Sequence, residues 1–207
     1  MIETLAIVFA KAPIPGEVKT RLAPAIGDMN AALLHSALTE RAIENAQSLG
    51  STVELCCAPD IQHAFFEQCE EDFGVTLTAQ GEGDLGARML CALERALLKH
   101  RKVLLAGADA PALGKKEWTA AEAALDTHDI VLIPADDGGY VLIGARKIHA
   151  QLFDGIAWGS CDVFAQQGAA LAKTGLSHMA LAPSWDVDRP EDLARLKTIK
   201  PPLAFEW

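Results

Sequence analysis

The sequence predicts an α/β fold in which a mostly parallel sheet is covered by helices on both faces. Three observations carry that expectation. Short apolar runs of strand type alternate with amphipathic segments of helical spacing. The runs are apolar almost throughout, as strands buried on both faces must be. The most unusual polar stretches follow the runs, where the loops at the carboxyl ends of parallel strands bind ligands. Half of the 207 residues are hydrophobic, enough for a packed core, and no linker, repeat or low-complexity stretch divides them. We therefore expect one domain over residues 1–207.

Residues 5–9 (LAIVF) read as a buried strand that opens into a Pro/Gly loop, AKAPIPGEVKTRLAP. From residue 30 to about 49, Leu33, Leu34, Ala37, Leu38, Ala42 and Ala46 recur at helical spacing, with Asp28 or Asn30 placed to cap the start. TVELCCA is a second strand, residues 63–69 a short helix, and VTLTA a third strand. After QGEGD a helix carries Leu85, Met89, Leu90, Leu93 and Leu97, leading to the strand KVLLAGAD. A helix over 115–125 precedes DIVLIPA, a D-D-G-G turn and GGYVLIGA. A helix near 162–173, the strand SHMALA and a helix after DVDRPEDL complete the chain.

The formal net charge of -10 argues against nucleic-acid partners, because affinity for them comes largely from Lys and Arg on phosphates. No stretch approaches the roughly 20 apolar residues of a membrane helix, and no secretory leader is visible, so a cytoplasmic protein is expected. The five cysteines are odd in number and lack C-x-x-C spacing, which points to reduced thiols rather than disulfides or a zinc knuckle.

Five loops could carry chemistry. In KAPIPGEVKTRL, Lys11, Lys19 and Arg21 lie near Gly16 in a strand-to-helix loop suited to a di- or triphosphate, with a solvated basic loop as the alternative; Val18 before Lys19 rules out a P-loop. In LLAGADAP, Asp109 ends a buried strand after Gly107, which permits close approach of another group, and a carboxylate there suits a hard cation. Asp136 and Asp137 precede paired glycines, as in an ordinary hairpin turn, but Asp137 could instead face the cleft. In SWDVDRPEDLARL, Asp188 and Glu191 fit a capping box, whereas Asp186 has no such explanation. The D-x-D pair of Asp186 and Asp188 puts two carboxylates on one side, which suits a divalent metal.

The fifth loop, QGEGDLGARM, spells G-x-G-x-x-G through Gly81, Gly83 and Gly86. That pattern cradles a dinucleotide pyrophosphate, and Asp109 lies about 20 residues further on, as a ribose-binding acid would. A dinucleotide fingerprint, however, opens the first strand-to-helix turn, and this one follows the third strand. We read Gln80, Gly81 and Leu85 instead as part of a nucleotide base pocket, with Gln80 offering an amide edge.

Taken in order, F-x-K-x-P-x-x-G-x-V-K-T-R-L, Q-G-x-G-x-L-G-x-R-M, G-x-D-x-P, P-x-x-D-G-G-Y-x-L-I-G and D-V-D-x-P-E-D-L resemble the bacterial DUF2064 group. That group is often labelled a glycosyltransferase and sits in the nucleotide-diphospho-sugar transferase superfamily. More distantly the chain is similar to guanylyltransferases of molybdenum-cofactor and F420 biosynthesis. The resemblance implies a GT-A-like three-layer α/β/α sandwich with a seven-stranded mixed sheet. It implies Mg2+ or Mn2+ between Asp109 and the late aspartates Asp188 and Asp186, with Gly16, Lys19 and Arg21 along the phosphates. Two departures stand out: Ala108 where a Thr or Ser is usual, and Arg189 where Thr is common.

The expected activity is a metal-dependent transferase with a nucleotide-sugar or nucleoside-triphosphate donor and a small-molecule acceptor, glycosyltransferase-like first and nucleotidyltransferase second. Lys19 and Arg21 would neutralise developing phosphate charge, and Asp137 would orient or deprotonate the acceptor. A non-catalytic nucleotide-binding protein and an NAD(P)-binding oxidoreductase are the rivals from other classes. Trp158, in GIAWGSCDVF, is a candidate wall of an acceptor pocket or a lid anchor.

Overall fold

The computed structural model describes residues 2–203 and 205. One seven-stranded sheet runs in the order β3-β2-β1-β4-β6-β5-β7. Its strands are β1 (Ile2–Lys11), β2 (Thr52–Ala58), β3 (Thr76–Ala79), β4 (His100–Gly107), β5 (Ile130–Pro134), β6 (Tyr140–Ala145) and β7 (His178–Ala180). All neighbours are parallel except β6, which lies antiparallel between β4 and β5. The expected mostly parallel, mixed sheet is therefore present.

The helices are α1 (Ala23–Ile26), α2 (Asp28–Gln47), α3 (Ala64–Phe73), α4 (Leu85–Leu97), α5 (Lys115–Ala124), α6 (Val163–Thr174) and α7 (Asp192–Leu196). The period-2 geometry of β1 assigns them to layers. Ala6, Val8 and Ala10 pack with Ile43 of α2, Phe66 of α3 and Trp118 of α5, while Leu5, Ile7 and Phe9 pack with Met89 and Leu93 of α4 and Leu171 of α6. Because both faces are covered, β1 has to be apolar at successive positions. No described helix is long and apolar enough to cross a membrane.

The chain leaves β1 toward β2 and β3, then returns to β4 on the other side of β1. That reversal opens a crevice beyond the carboxyl ends of β1 and β4, the usual ligand position in such sheets. A third apolar cluster frames the crevice: Leu22, Leu34, Leu38, Val187, Leu193 and Leu196 join the loop after β1 to α2, the D-V-D segment and α7.

Three local expectations need correction. Helix α2 starts at Asp28, and its cap is Gly27 at φ +82°, with no side-chain cap, so neither Asp28 nor Asn30 serves that role. Asn30 instead donates from its side chain to the Ile26 carbonyl at 2.8 Å. Leu33 is 52% exposed, because Leu34 and Leu38 turn toward Leu22 and Val187. The Asp188 and Glu191 capping box does not form: the Asp192 carboxylate accepts from the N–H groups of Asp188 (3.0 Å) and Arg189 (2.8 Å), and Glu191 makes no side-chain cap. That arrangement leaves the Asp188 carboxylate free to meet Arg21.

Candidate active site

Lys19 is the knot of the crevice. It holds a left-handed backbone at φ +49°, and among the described residues it alone does so without being glycine. Such conformations cost on the order of 1 kcal/mol or more and persist only where the surroundings enforce them. Here the enforcement comes from its side chain, which is 5% exposed and donates from Nζ to the Val187 carbonyl at 2.6 Å and to Asp109 Oδ1 at 2.8 Å. The Val187 N–H in turn donates to the Asp109 carbonyl at 2.9 Å. One ammonium thus fastens together the loop after β1, the end of β4 and the D-V-D segment.

Asp109 keeps 44% of its side chain open to the crevice. Burial of the surrounding site opposes its ionisation, but the Lys19 ammonium, with His35 and Lys11 adding to it, prevails and holds the carboxyl below its usual range. His35 of α2 is a part of the site that sequence reasoning missed. Its Nε2 lies 3.0 Å from the Lys11 carbonyl, which can only accept, so the ring proton resides there. Nδ1, 3.8 Å from Asp109 Oδ1, is buried without a hydrogen-bond partner, and burial lowers the pKa of the ring.

Asp186 lies near enough to feel the charge of Asp109. Burial first, then the charges of Asp137 and Asp109, push its carboxyl up to about 6. Asp137 is shaped by its turn: Oδ1 accepts from the Gly139 N–H at 2.9 Å. Gly138 takes φ +92°, and a Cβ there would lie 2.0 Å from the Cys161 carbonyl oxygen, so only glycine fits. The hairpin role expected of this turn and a cleft-facing Asp137 therefore coexist. Asp136 lines the cavity that holds Arg21 and Asp188 but is already engaged there, pairing at 2.9 Å with Arg195, whose guanidinium stacks 4.4 Å above Trp185.

Asp188 pairs with Arg21 at 2.5 Å across an exposed edge. Both residues line a cavity of about 280 Å3 together with Asp137, Asp186 and Arg189, so the two D-x-D carboxylates do open on one space. Lys11 lies to the flank in a cavity of about 240 Å3 that also includes Arg88. Gly16 and Gly81 take φ +83° and +82° with no protein atom within 4 Å of where a Cβ would stand.

Gln80 is committed in part: it is 7% exposed, and its amide nitrogen Nε2 donates to the carbonyls of Ala10 (3.1 Å) and Cys56 (3.0 Å), which leaves only the amide oxygen for a base. The strand ends needed donors, and Gln80 supplies them. Nothing lies within 4 Å of a Cβ built on Gly107, so it leaves the crevice floor open to the close approach of another group. Leu85 remains 45% exposed beside the crevice. The G-x-G-x-x-G stretch also receives a local explanation. Gly86 lies within α4, and a Cβ on it would stand 2.6–2.8 Å from the indole of Trp158, so this glycine admits an aromatic ring.

Among the described residues, no three His, Cys, Asp or Glu side chains stand close enough to form a complete metal cage. Magnesium needs less than that, usually one or two protein carboxylates with phosphate and water completing the shell. Asp186 feels the charges of Asp137 and Asp109 in addition to its burial, so carboxylate oxygens, the donor type that magnesium accepts, stand near one another here.

The family model that describes an "uncharacterized protein conserved in bacteria (DUF2064)" matches residues 42–160, more than half of the chain. The chain belongs to the DUF2064 family. No curated protein matches it. Among solved structures it is similar to a "putative nucleotide-diphospho-sugar transferase" from Desulfovibrio desulfuricans, with 31% identity, a TM-score of 0.87, and coverage of 97% of this chain and 89% of that one. A nucleotidyl transferase from Methanothermobacter matches at 14% identity and TM-score 0.62, covering 95% and 96% of the two chains. A 4-diphosphocytidyl-2C-methyl-D-erythritol synthase from Anaerococcus prevotii matches at 11% and 0.62, covering 94% and 96%. At those identities the last two establish the fold alone, and this DUF2064 chain has the nucleotide-diphospho-sugar transferase fold.

Proposed function

We propose that this DUF2064 protein is a metal-assisted transferase that takes a nucleotide sugar and passes the sugar to a small acceptor. The observation that carries the reading is Lys19, a buried ammonium held between Asp109 and the Val187 carbonyl at the mouth of the crevice. Two of its three N–H donors are spent there, which leaves the third for a phosphate oxygen. Arg21 and Lys11, both exposed, extend positive charge along the same loop.

Asp109 and Asp186 would hold Mg2+ or Mn2+ with phosphate and water completing the shell, and Asp188 would join them only by moving, once Arg21 turns from it to phosphate; the ion would neutralise phosphate charge. Gly16 and Gly81 keep the backbone beside the phosphates and the base clear of side chains. Asp137, with Oδ1 fixed by the turn, has Oδ2 to orient the acceptor and take its proton. Catalysis of this kind rests on positioning and electrostatics and needs no covalent nucleophile.

Nucleotidyl transfer is the second reading, favoured by the three cations of the loop after β1, which together suit a triphosphate. The products decide between the two. Nucleoside diphosphate released from a nucleotide sugar supports glycosyl transfer, and pyrophosphate released from a nucleoside triphosphate supports nucleotidyl transfer. Release of neither, with nucleotide binding indifferent to Asp109→Ala and to chelator, would leave a non-catalytic nucleotide-binding protein.

A further inference from the structure

Beside the phosphate-facing groups lies a chamber of different character. Its volume is about 230 Å3, and its walls include Phe9, Leu105, Met89, Tyr140, Val163 and Trp158. It is smaller than the roughly 300–1,000 Å3 clefts that take drug-sized ligands. The choice of residues keeps it open. Gly107 leaves the floor bare, and Gly86 makes room for the Trp158 ring. That ring stacks on Phe153 at 6.3 Å and meets Tyr140 edge-on at 6.3 Å. The Tyr140 hydroxyl is turned away to Gln167 Oε1 at 3.3 Å, so the aromatic wall presents its carbon face.

The charge of the lining is one-sided. Its ionisable groups are the carboxylates of Asp137 and Asp186, apart from the Tyr140 phenol, and no Lys, Arg or His joins them among the described residues. The same two aspartates also line the adjoining cavity that holds Arg21 and Asp188, so the acidic rim is where the chamber meets the phosphate-binding space. An anion brought to that rim would face like charge with no cation in the lining to offset it. An apolar body would gain by burial against the walls, and a hydroxyl or amine on it would reach the carboxylates.

We propose that this chamber is the acceptor site and that its acceptor is an uncharged or cationic molecule, with a compact apolar body and one hydroxyl or amine, rather than a phosphorylated or carboxylated one. The assignment as acceptor rests on the transferase reading; the ligand class rests on the chamber itself. In the transfer, the bond from the anomeric carbon to the diphosphate oxygen breaks and its electron pair leaves with the nucleoside diphosphate. The acceptor oxygen or nitrogen bonds to that carbon, and its proton passes to Asp137.

The test is titration of the whole chain, in chelator and without nucleotide, with benzyl alcohol, benzylamine and benzyl phosphate, followed by ligand-observed NMR and by tryptophan fluorescence. Trp158→Phe identifies the fluorescence signal. The alcohol and the amine are expected to bind, with the phosphate at least tenfold weaker. Val163→Phe, which fills the chamber, should weaken the alcohol at least tenfold. Asp137→Asn, which changes charge with little change in packing, should narrow the gap between phosphate and alcohol. Benzyl phosphate binding as tightly as the alcohol, no binding by either the alcohol or the amine, or indifference to both variants would overturn the proposal. A chamber that binds the alcohol in a protein that binds no nucleotide would uphold the ligand class and defeat the transferase reading instead.

Discussion

The two ends of the sheet treat their charges in opposite ways. At the starts of β5 and β7, the Asp129 carboxylate accepts from the Ser177 hydroxyl (2.7 Å) and N–H (3.1 Å), from Arg146 Nε (3.1 Å) and lies 3.2 Å from Lys147 Nζ. The Ser177 hydroxyl above all, with the backbone and the two cations, holds its carboxyl far below the usual range. At the other end, Asp186 is raised, Lys19 has a left-handed backbone and the His35 Nδ1 has no partner. Polar groups whose demands are met make an anchor. Groups left strained, protonation-shifted or unpartnered at the mouth of a crevice are what the proposed nucleotide and metal would complete.

That contrast is broken or sharpened by substitution, beginning with the largest effect. Asp129→Ala strands its donors at the anchored end and should cost about 3 kcal/mol, lowering the melting midpoint by roughly 6–12 °C. Nucleotide binding by the folded fraction should be unchanged, as calorimetric titration below the midpoint will show. At the crevice end, Lys19→Met should show the reverse balance, with nucleotide affinity falling at least tenfold. Its stability loss should stay near 1–2 kcal/mol, because Asp109 is open enough for water to solvate it.

Asp186→Asn tests the repulsion through pH. The folded carboxyl titrates near 6, above the usual 3.8, so the native state prefers the protonated form. Stability from this group is complete below pH 4 and is lost as pH rises through 6. In chelator, the variant should therefore match the parent at pH 4 and exceed it by about 1–2 kcal/mol at pH 8, once solvent screening of this partly exposed group is allowed for. Denaturant midpoints at the two pH values check it. The smallest stability change is expected of Gly86→Ala, a loss of about 1 kcal/mol, because the added methyl overlaps the Trp158 ring, which must shift against Phe153 and Tyr140. Near-UV circular dichroism should nonetheless change as the indole moves.

The layers were legible because strands buried on two faces must be apolar without interruption, as LAIVF and KVLLAG are. Lys19, Arg21, Asp109, Asp137 and the D-V-D pair stood out in the sequence because they follow buried strands, but a solvated basic loop and turn-forming aspartates look the same there, and it is the sheet that brings Lys19 to Asp109 and Arg21 to Asp188. His35 was hidden by its helix: it lies beside Leu34 and Leu38 on a face that periodicity marks as apolar, and only the return of β4 brings Asp109 to it. Gln80 was ambiguous for a related reason. A strand-end amide is as suited to tying Ala10 and Cys56 as to reading a base, and register decides which. The Asp129 anchor was illegible because Arg146 and Lys147 follow β6 whereas Ser177 precedes β7, much further along the chain.

The account turns on whether the unsatisfied end of the sheet is completed by a nucleotide with a metal. The most direct measurement is the shift in melting midpoint with nucleoside triphosphates, nucleotide sugars and NAD(P), each with manganese and with chelator, for the parent chain and Asp109→Ala. A ligand at a hundredfold its dissociation constant adds about 2.7 kcal/mol, a rise of roughly 5–10 °C. The account predicts such a rise for a nucleotide or nucleotide sugar, dependent on manganese and lost in Asp109→Ala. A rise with NAD(P) alone, or with a nucleotide regardless of metal and of Asp109, would contradict it.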